Sequence, residues 1–281
     1  MATVRSVLVA TDLSEPSRTS IAEALARARA THTRCELCHV VPPPFRRASQ
    51  LLRSVPDLGR WGAEQTTVLA GDGHAHELLV QRSVEDKVAL LVVCGQGLTD
   101  AHAPFRATLA EQVIRHAPCP VLVARRGPCS GVVLVATDLT DPELPVVTAA
   151  VEEARRCDGR LIAVHCVDFT PLLAEPIGAV AGAAGHWPVP VAIAAARREA
   201  EAQLAAALDR LEVAHERRVA EGAVAHTVVE LAAEAQAELV VVGTRRRSGL
   251  WRLIRGSVAR RVARAARCSV LVVPLGRSPR H

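Results

Sequence analysis

The sequence predicts an α/β protein built from two tandem, doubly wound domains, residues 1–127 and 128–281, each with a five-stranded parallel sheet. Three observations predict it. A length of 281 residues suits two domains of ordinary size. The chain repeats itself: Ser6-Val-Leu-Val-Ala-Thr-Asp12-Leu-Ser returns as Val132-Val-Leu-Val-Ala-Thr-Asp138-Leu-Thr, and Glu36-Leu-Cys-His39-Val-Val returns as Ile162-Ala-Val-His165-Cys-Val, both 126 positions later. Finally, short apolar runs without alternation, such as VVLVA and LVVVG, are separated by helical patterns, as in strands covered by helices on both faces.

Taken in order, half one places strands near 5–10, 35–41, 66–70, 89–94 and 120–124. Half two places them near 131–136, 160–167, 214–220, 238–242 and 269–273. Leu90-Leu-Val-Val-Cys-Gly95 matches Glu238-Leu-Val-Val-Val-Gly243, and Cys119-Pro-Val-Leu-Val matches Cys268-Ser-Val-Leu-Val. Ser14-Glu-Pro16 supplies a cap residue and a first-turn proline for a helix over Ile21, Ala24, Leu25 and Ala28, and Asp141-Pro142 does the same in half two. Residues 190–212, rich in Ala, Arg, Glu and Leu, form the longest helix. The joint between the halves is the turn-rich Arg125-Arg-Gly-Pro-Cys-Ser-Gly131. Half one spends 24 residues, Pro42 to Gln65, between its second and third strands, where half two spends more than 45, so half one reads as trimmed.

Composition narrows the function. No run approaches about 20 consecutive apolar residues, so no membrane helix is expected. The N-terminus carries no export pattern, and a cytoplasmic protein is expected. The 34 basic residues include one lysine, Lys87, which leaves no Walker phosphate loop and no Schiff-base candidate. Three Phe, three Trp and no Tyr offer few base-stacking platforms, and a net charge of +5 is too small to argue for nucleic acid. Cys35 and Cys38 form a C-x-x-C, but RCELCHVV reads as a strand, where residues three apart face opposite ways. No second pair completes a metal set, and all eight cysteines are expected as structural thiols.

The chemistry is expected at the carboxyl ends of the strands, where the winding reverses. In half two that rule selects Asp138, Cys166 and the loop GTRRRSGLWRLIRGSVARRVARAARC. Gly243 turns the chain out of its strand. Gly256 and Ser257 open the next helix, whose first N–H groups and positive dipole end suit an anion. Nine arginines and no acid lie between Gly243 and Cys268, whereas Gly127 to Val242 carries 8 arginines against 17 acids. Such segregation focuses positive potential on one region.

The repeat, the strand ending in Asp, the His-Val after the second strand and this last loop resemble the universal stress protein family, across nearly the whole chain. The resemblance implies the adenine nucleotide α-hydrolase-like form of the doubly wound fold. The family's ATP-binding members carry G-x2-G-x9-G-[ST] after the fourth strand. Gly243 and the Gly256-Ser257 pair match it, while Arg246 replaces the second glycine. The resemblance implies that half two binds ATP or a related adenine nucleotide, with or without Mg²⁺. Asp138 would face the adenosine, Cys166 the adenine, and Gly243, Arg246, Gly256, Ser257 and Val258 the ribose and phosphates. In half one Asp12, Val40 and Gly95 match, but the loop reads one residue shorter, Leu98 stands for the second glycine, and Ala107-Thr108 replace Gly-Ser. That site reads as degenerate. His165 reads as a packed strand-end residue, and no acid or histidine in the loop is an evident catalytic base, so at most slow hydrolysis is expected. The family pairs through its last strand, which implies an intramolecular pseudo-dimer through 120–124 and 269–273, with a homodimer of the whole chain as a further interface. Two other readings stand beside this one: a scaffold without nucleotide, whose arginine face binds an acidic partner, and a thiol sensor using Cys166 or Cys94.

Overall fold

The computed structural model describes residues 6–12, 14, 16–41, 65–70, 74–95, 108–141, 143–168, 189–209, 211, 213–245 and 257–275. The strands are β1 Ser6–Ala10, β2 Arg34–Val41, β3 Gln65–Ala70, β4 Leu90–Cys94, β5 Val121–Ala124, β6 Val132–Ala136, β7 Arg160–Val167, β8 His215–Glu221, β9 Leu239–Arg245 and β10 Ser269–Leu275. The helices are α1 Ser17–Ala30, α2 Ala75–Glu85, α3 Leu109–His116, α4 Pro145–Arg156, α5 Val189–Leu208, α6 Val224–Glu234 and α7 Ser257–Ala265.

Each half is a parallel sheet in which the winding reverses once, between β1 and β4 in half one and between β6 and β9 in half two. The two sheets are continuous. They form one ten-stranded sheet in the order β3-β2-β1-β4-β5-β10-β9-β6-β7-β8, joined by a single antiparallel ladder of β5 with β10. In that ladder Leu122 pairs with Leu271, Val121 with Val272 and Val123 with Val270. Leu122 and Leu271 are the same position of the repeat, so a pseudo-two-fold axis passes between them. The last strands of the two halves thus cover each other's edges, which would otherwise be apolar and open. Because this ladder is antiparallel, the carboxyl ends of the two half-sheets open on opposite edges of the molecule.

Two apolar cores line the two faces, and each runs through both halves. Leu8, Leu91 and Val123 meet Leu134, Val240 and Val262 beneath α2, α3, α6 and α7. Val7, Val9 and Leu122 meet Val133, Val241 and Leu271 beneath α1, α4 and α5. Cys35 lies in the second core and Cys38 in the first, as alternation along β2 requires. They are not joined by a disulfide.

The repeat extends to backbone detail. His32 and Asp158 are left-handed (φ 50° and 49°) at the ends of α1 and α4, as are Lys87 and Gln236 (φ 50° and 49°) at the ends of α2 and α6. Each precedes the same closing bond, Thr33 N to Ala28 O at 2.9 Å and Gly159 N to Ala154 O at 2.9 Å. The helix starts differ from the sequence reading. Ser14 does not cap α1; its N–H and hydroxyl donate to Asp12 Oδ1, at 3.0 and 2.5 Å, and the helix begins at Ser17 behind Pro16. In half two the proline of the first turn is Pro145, with Leu144 at the N-cap in a left-handed conformation (φ 45°). Asp141 instead accepts from Glu143 N at 3.1 Å. The longest helix ends at Leu208, four positions before the expected limit.

Candidate functional site

The turns that leave β1 and β6 carry Asp12 and Asp138, and both are built the same way. Thr11 N donates to Cys38 O at 2.9 Å and Thr137 N to Val164 O at 3.0 Å, which extends each ladder by one residue. His39 Nδ1 then lies 2.8 Å from Thr11 O, and His165 Nδ1 lies 2.9 Å from Thr137 O. A carbonyl can only accept, so Nδ1 carries the proton in each ring. These histidines hold the aspartate turns in place, which bears out the strand-end role read for His165.

The two aspartates are engaged differently. Asp138 is exposed and accepts from Thr140 N at 3.1 Å and Thr140 Oγ1 at 2.7 Å. Asp12 accepts from Ser14 and also from the Ser17 hydroxyl at the start of α1. Burial opposes ionisation of Asp12, but the bonds from Ser14 and Ser17 outweigh it and hold its pKa below the ordinary aspartate range.

The register of the strands corrects the alignment of the last loop. Leu91 stands beside Leu8 and Val240 beside Leu134, so half-two positions lie 149 residues after their half-one counterparts from β4 onward. The counterpart of Gly243 is therefore Cys94, not Gly95, and the loops to Thr108 and Ser257 have equal length. By the same count Gly97 falls where half two has Arg246. Each half keeps a different subset of the three motif glycines: half one the second, half two the first and third. Sequence similarity alone favoured aligning glycine with glycine, and only the sheet register separates the two choices.

A packing difference accompanies this. A Cβ on Gly243 would come within 2.9 Å of both Leu275 Cδ1 and Val146 Cγ2. The counterparts of those residues are Arg126 and the small, buried Ser20, and the Cys94 side chain is accommodated there, with Sγ 3.4 Å from Pro16 O. Gly95 lies instead beneath Arg125, whose Nη2 donates to Ala263 O on α7 at 2.5 Å. Arg125 N donates to Ser269 Oγ of half two at 3.0 Å. The end of β5 is thus tied to half two.

The helix starts are the sharpest contrast. Thr108 Oγ1 accepts from Glu111 N at 3.1 Å, and Glu111 Oε2 accepts from Thr108 N at 2.9 Å, a complete capping box with a carboxylate on the positive end of α3. The counterpart of Glu111 in α7 is Arg260, and α7 has no acid in its first turn. Val262 is fully buried and Val258 packs against the same core, while Arg261, Arg264 and Arg267 are exposed. Sequence reading missed the box, although Thr108-Leu-Ala-Glu111 spells it.

Of the other expected site residues, Val40 and Cys166 occupy equivalent places at the ends of β2 and β7, both half-buried. Burial, with Asp168 nearby, pushes the Cys166 thiol up to about 11, and burial with Glu36 pushes Cys38 up to about 12. Thiols held protonated are poor nucleophiles, which weighs against a thiol sensor at Cys166. Arg246, Gly256 and Ala107 lie outside the described residues. A cavity of about 510 Å³ runs along the β8 edge, two strands from the reversal point. Its arginines face carboxylates: Arg197 meets Glu201 and Glu221, Arg217 meets Asp209, and Arg218 meets Glu216 and Glu234.

Two doubly wound half-sheets with aspartate-bearing turns at their reversal points define a tandem α/β protein with one strand-end site per half. The chain belongs to the universal stress protein family, whose model matches residues 3–125 and 131–274. It is 31% identical over 142 residues to a universal stress protein of Methanocaldococcus jannaschii, covering 50% of this chain and 80% of that one. It is 30% identical over 145 residues to universal stress protein A homolog 1 of Coxiella burnetii, covering 50% of this chain and 94% of the relative. Among solved structures, a Pseudomonas aeruginosa protein described as functionally unknown shares the fold over 96% of this chain and 92% of its own (TM-score 0.69, 19% identity). A universal stress protein of Archaeoglobus fulgidus does so over 98% of each (TM-score 0.67, 15% identity). Among the described residues no helix is long and apolar enough to cross a membrane.

Proposed function

We propose that half two binds an adenine nucleotide, ATP foremost, that half one does not, and that the chain acts as a stress-response regulator or scaffold through this one site. The observation that carries the reading is the pair of helix starts. In half one the N–H groups at the start of α3 and their positive dipole end are already served by Thr108 and Glu111. In half two the equivalent position to that glutamate is Arg260, and the first turn of α7 holds no acid, so the same dipole end favours a phosphate. The exposed Asp138 turn, held by His165, stands across the reversal point from it, where a nucleoside would lie. Gly243, Arg246, Gly256, Ser257 and Val258 are the residues we assign to ribose and phosphates, with Cys166 beside the base. Calorimetric titration of the whole chain with ATP, ADP, AMP and adenosine, with and without Mg²⁺, tests this. One site per chain, tighter for more phosphates and weaker as salt rises, is expected. Two sites per chain, or no binding of any of the four, overturns it. In the latter case the exposed Arg261, Arg264 and Arg267 of α7 favour an acidic protein partner instead.

A further inference from the structure

The pseudo-two-fold axis passes through a contact that a true two-fold axis could not contain. Arg27 on α1 and Glu153 on α4 are the same position of the repeat, 126 residues apart, and they bond to each other across the axis. Arg27 Nε donates to Glu153 Oε1 at 3.3 Å and Nη2 to Glu153 Oε2 at 2.9 Å, a two-pronged pair. Both are sheltered: the Arg27 side chain is 5% exposed and that of Glu153 14%. Glu23 flanks Arg27 on α1, and Arg156 Nη2 lies 2.9 Å from Glu153 Oε2 on α4, so signs alternate along Glu23, Arg27, Glu153 and Arg156.

At an isologous interface, a residue on the axis faces its own copy. Half one placed against another half one would set Arg27 against Arg27, and two copies of half two would set Glu153 against Glu153. Each would press sheltered like charges together with only Glu23 or Arg156 beside them, in place of the opposite charge across the axis, which is unfavourable. The opposite face of the sheet repeats the bias more weakly. Glu111 on α3 meets Arg264 on α7 at 3.9 Å, whereas a second half two would bring Arg260 in place of Glu111. The apolar β5–β10 ladder carries no such information, since Val-Leu-Val pairs with Val-Leu-Val in every combination.

We propose that the Arg27–Glu153 pair is the specificity contact of the half–half interface: it docks half one onto half two of the same chain and denies that surface to a like half. The inference is independent of nucleotide binding.

Hydrogen–deuterium exchange on the full chain tests it, because loosened docking and general unfolding differ in which amides respond. In R27E and in E153R, peptides covering Val121–Val123 and Val270–Val272 are expected to exchange faster, while those covering β1 and β6 keep their protection. R27E/E153R is expected to regain a large part of the lost ladder protection, limited by the Glu23 and Arg156 neighbours that stay unswapped. Losses that add in the double variant, or a uniform rise over all strands, overturn the proposal. Should the charge reversals not fold, E153Q keeps the shape of the side chain but leaves the sheltered Arg27 without its cross-axis charge. A selective rise in ladder exchange is then expected, and exchange identical to the unaltered chain overturns the proposal.

Discussion

The two halves share strand order, core and the left-handed closing turns of their helices, yet their strand ends differ. Half one engages the groups of its strand end with its own side chains. Glu111 occupies the helix end, Ser17 and Ser14 occupy Asp12, and Arg125 covers Gly95 and reaches into half two. Half two has kept its helix end free of acid and placed arginine where the acid stood. The difference teaches how a duplicated fold is divided: half one ties the groups of its strand end into internal bonds, and half two leaves the start of α7 without an acid, the contrast on which the proposed nucleotide site rests. Because the two sites open on opposite edges of one continuous sheet, either can change without crowding the other.

The largest expected effect comes from erasing the contrast at the helix starts. Arg260→Glu gives α7 the acid that α3 already has. Nucleotide affinity should fall by roughly 1.5–3 kcal/mol, the worth of a hydrogen bond to a charged group, which is about tenfold or more in a calorimetric titration. Folding stability should hold or rise, because Ser257 and the new glutamate spell a capping box. An unchanged affinity would break the comparison. The reciprocal Glu111→Arg should not create a second site, since Cys94 and Ala107 remain in half one.

Next in size is the glycine of the fourth strand. Gly243→Val would force a branched side chain against Leu275 and Val146 and should cost about 1–3 kcal/mol in urea unfolding, together with the binding activity. Cys94→Gly, at the equivalent position, relieves no clash and should cost less than that. Equal losses would mean that the register assigned to the two loops is wrong.

Smaller again is the cap that only half one uses. Thr108→Ala should lower stability by about 1 kcal/mol and leave nucleotide binding untouched. A loss of binding with it would place ligand in half one.

The smallest effect is a pH dependence. The folded pKa of Asp12 lies below its unfolded value of about 3.9, so its contribution is fully present above that pH and fades as pH falls through the folded value. Asp12→Asn should therefore lower stability modestly at pH 7 and flatten its acid limb below about pH 4, the two proteins converging at the lowest pH. A steep acid limb kept by the variant would show that other carboxylates govern it.

The sequence by itself determined the fold. A repeat at a fixed spacing, buried apolar strands and helical patterns between them leave one architecture, because strands covered on both faces must be parallel and joined by helices. It also determined that Cys35 and Cys38 face apart and that the reversal points lie at Asp12 and Asp138, since these follow from alternation along a strand and from strand order. What it could not fix were relations set by register across the sheet. Gly95 resembles Gly243 in the chain, but β4 lies beside β1 in a register that makes Cys94 its counterpart. Arg27 and Glu153 look like two unrelated surface charges until two helices 126 residues apart meet at a pseudo-two-fold axis. Ser14 resembles a helix cap until the Asp12 carboxylate, fixed by its turn, takes its hydroxyl. In each case short-range pattern names the residue, and a partner brought by the tertiary fold decides what it does.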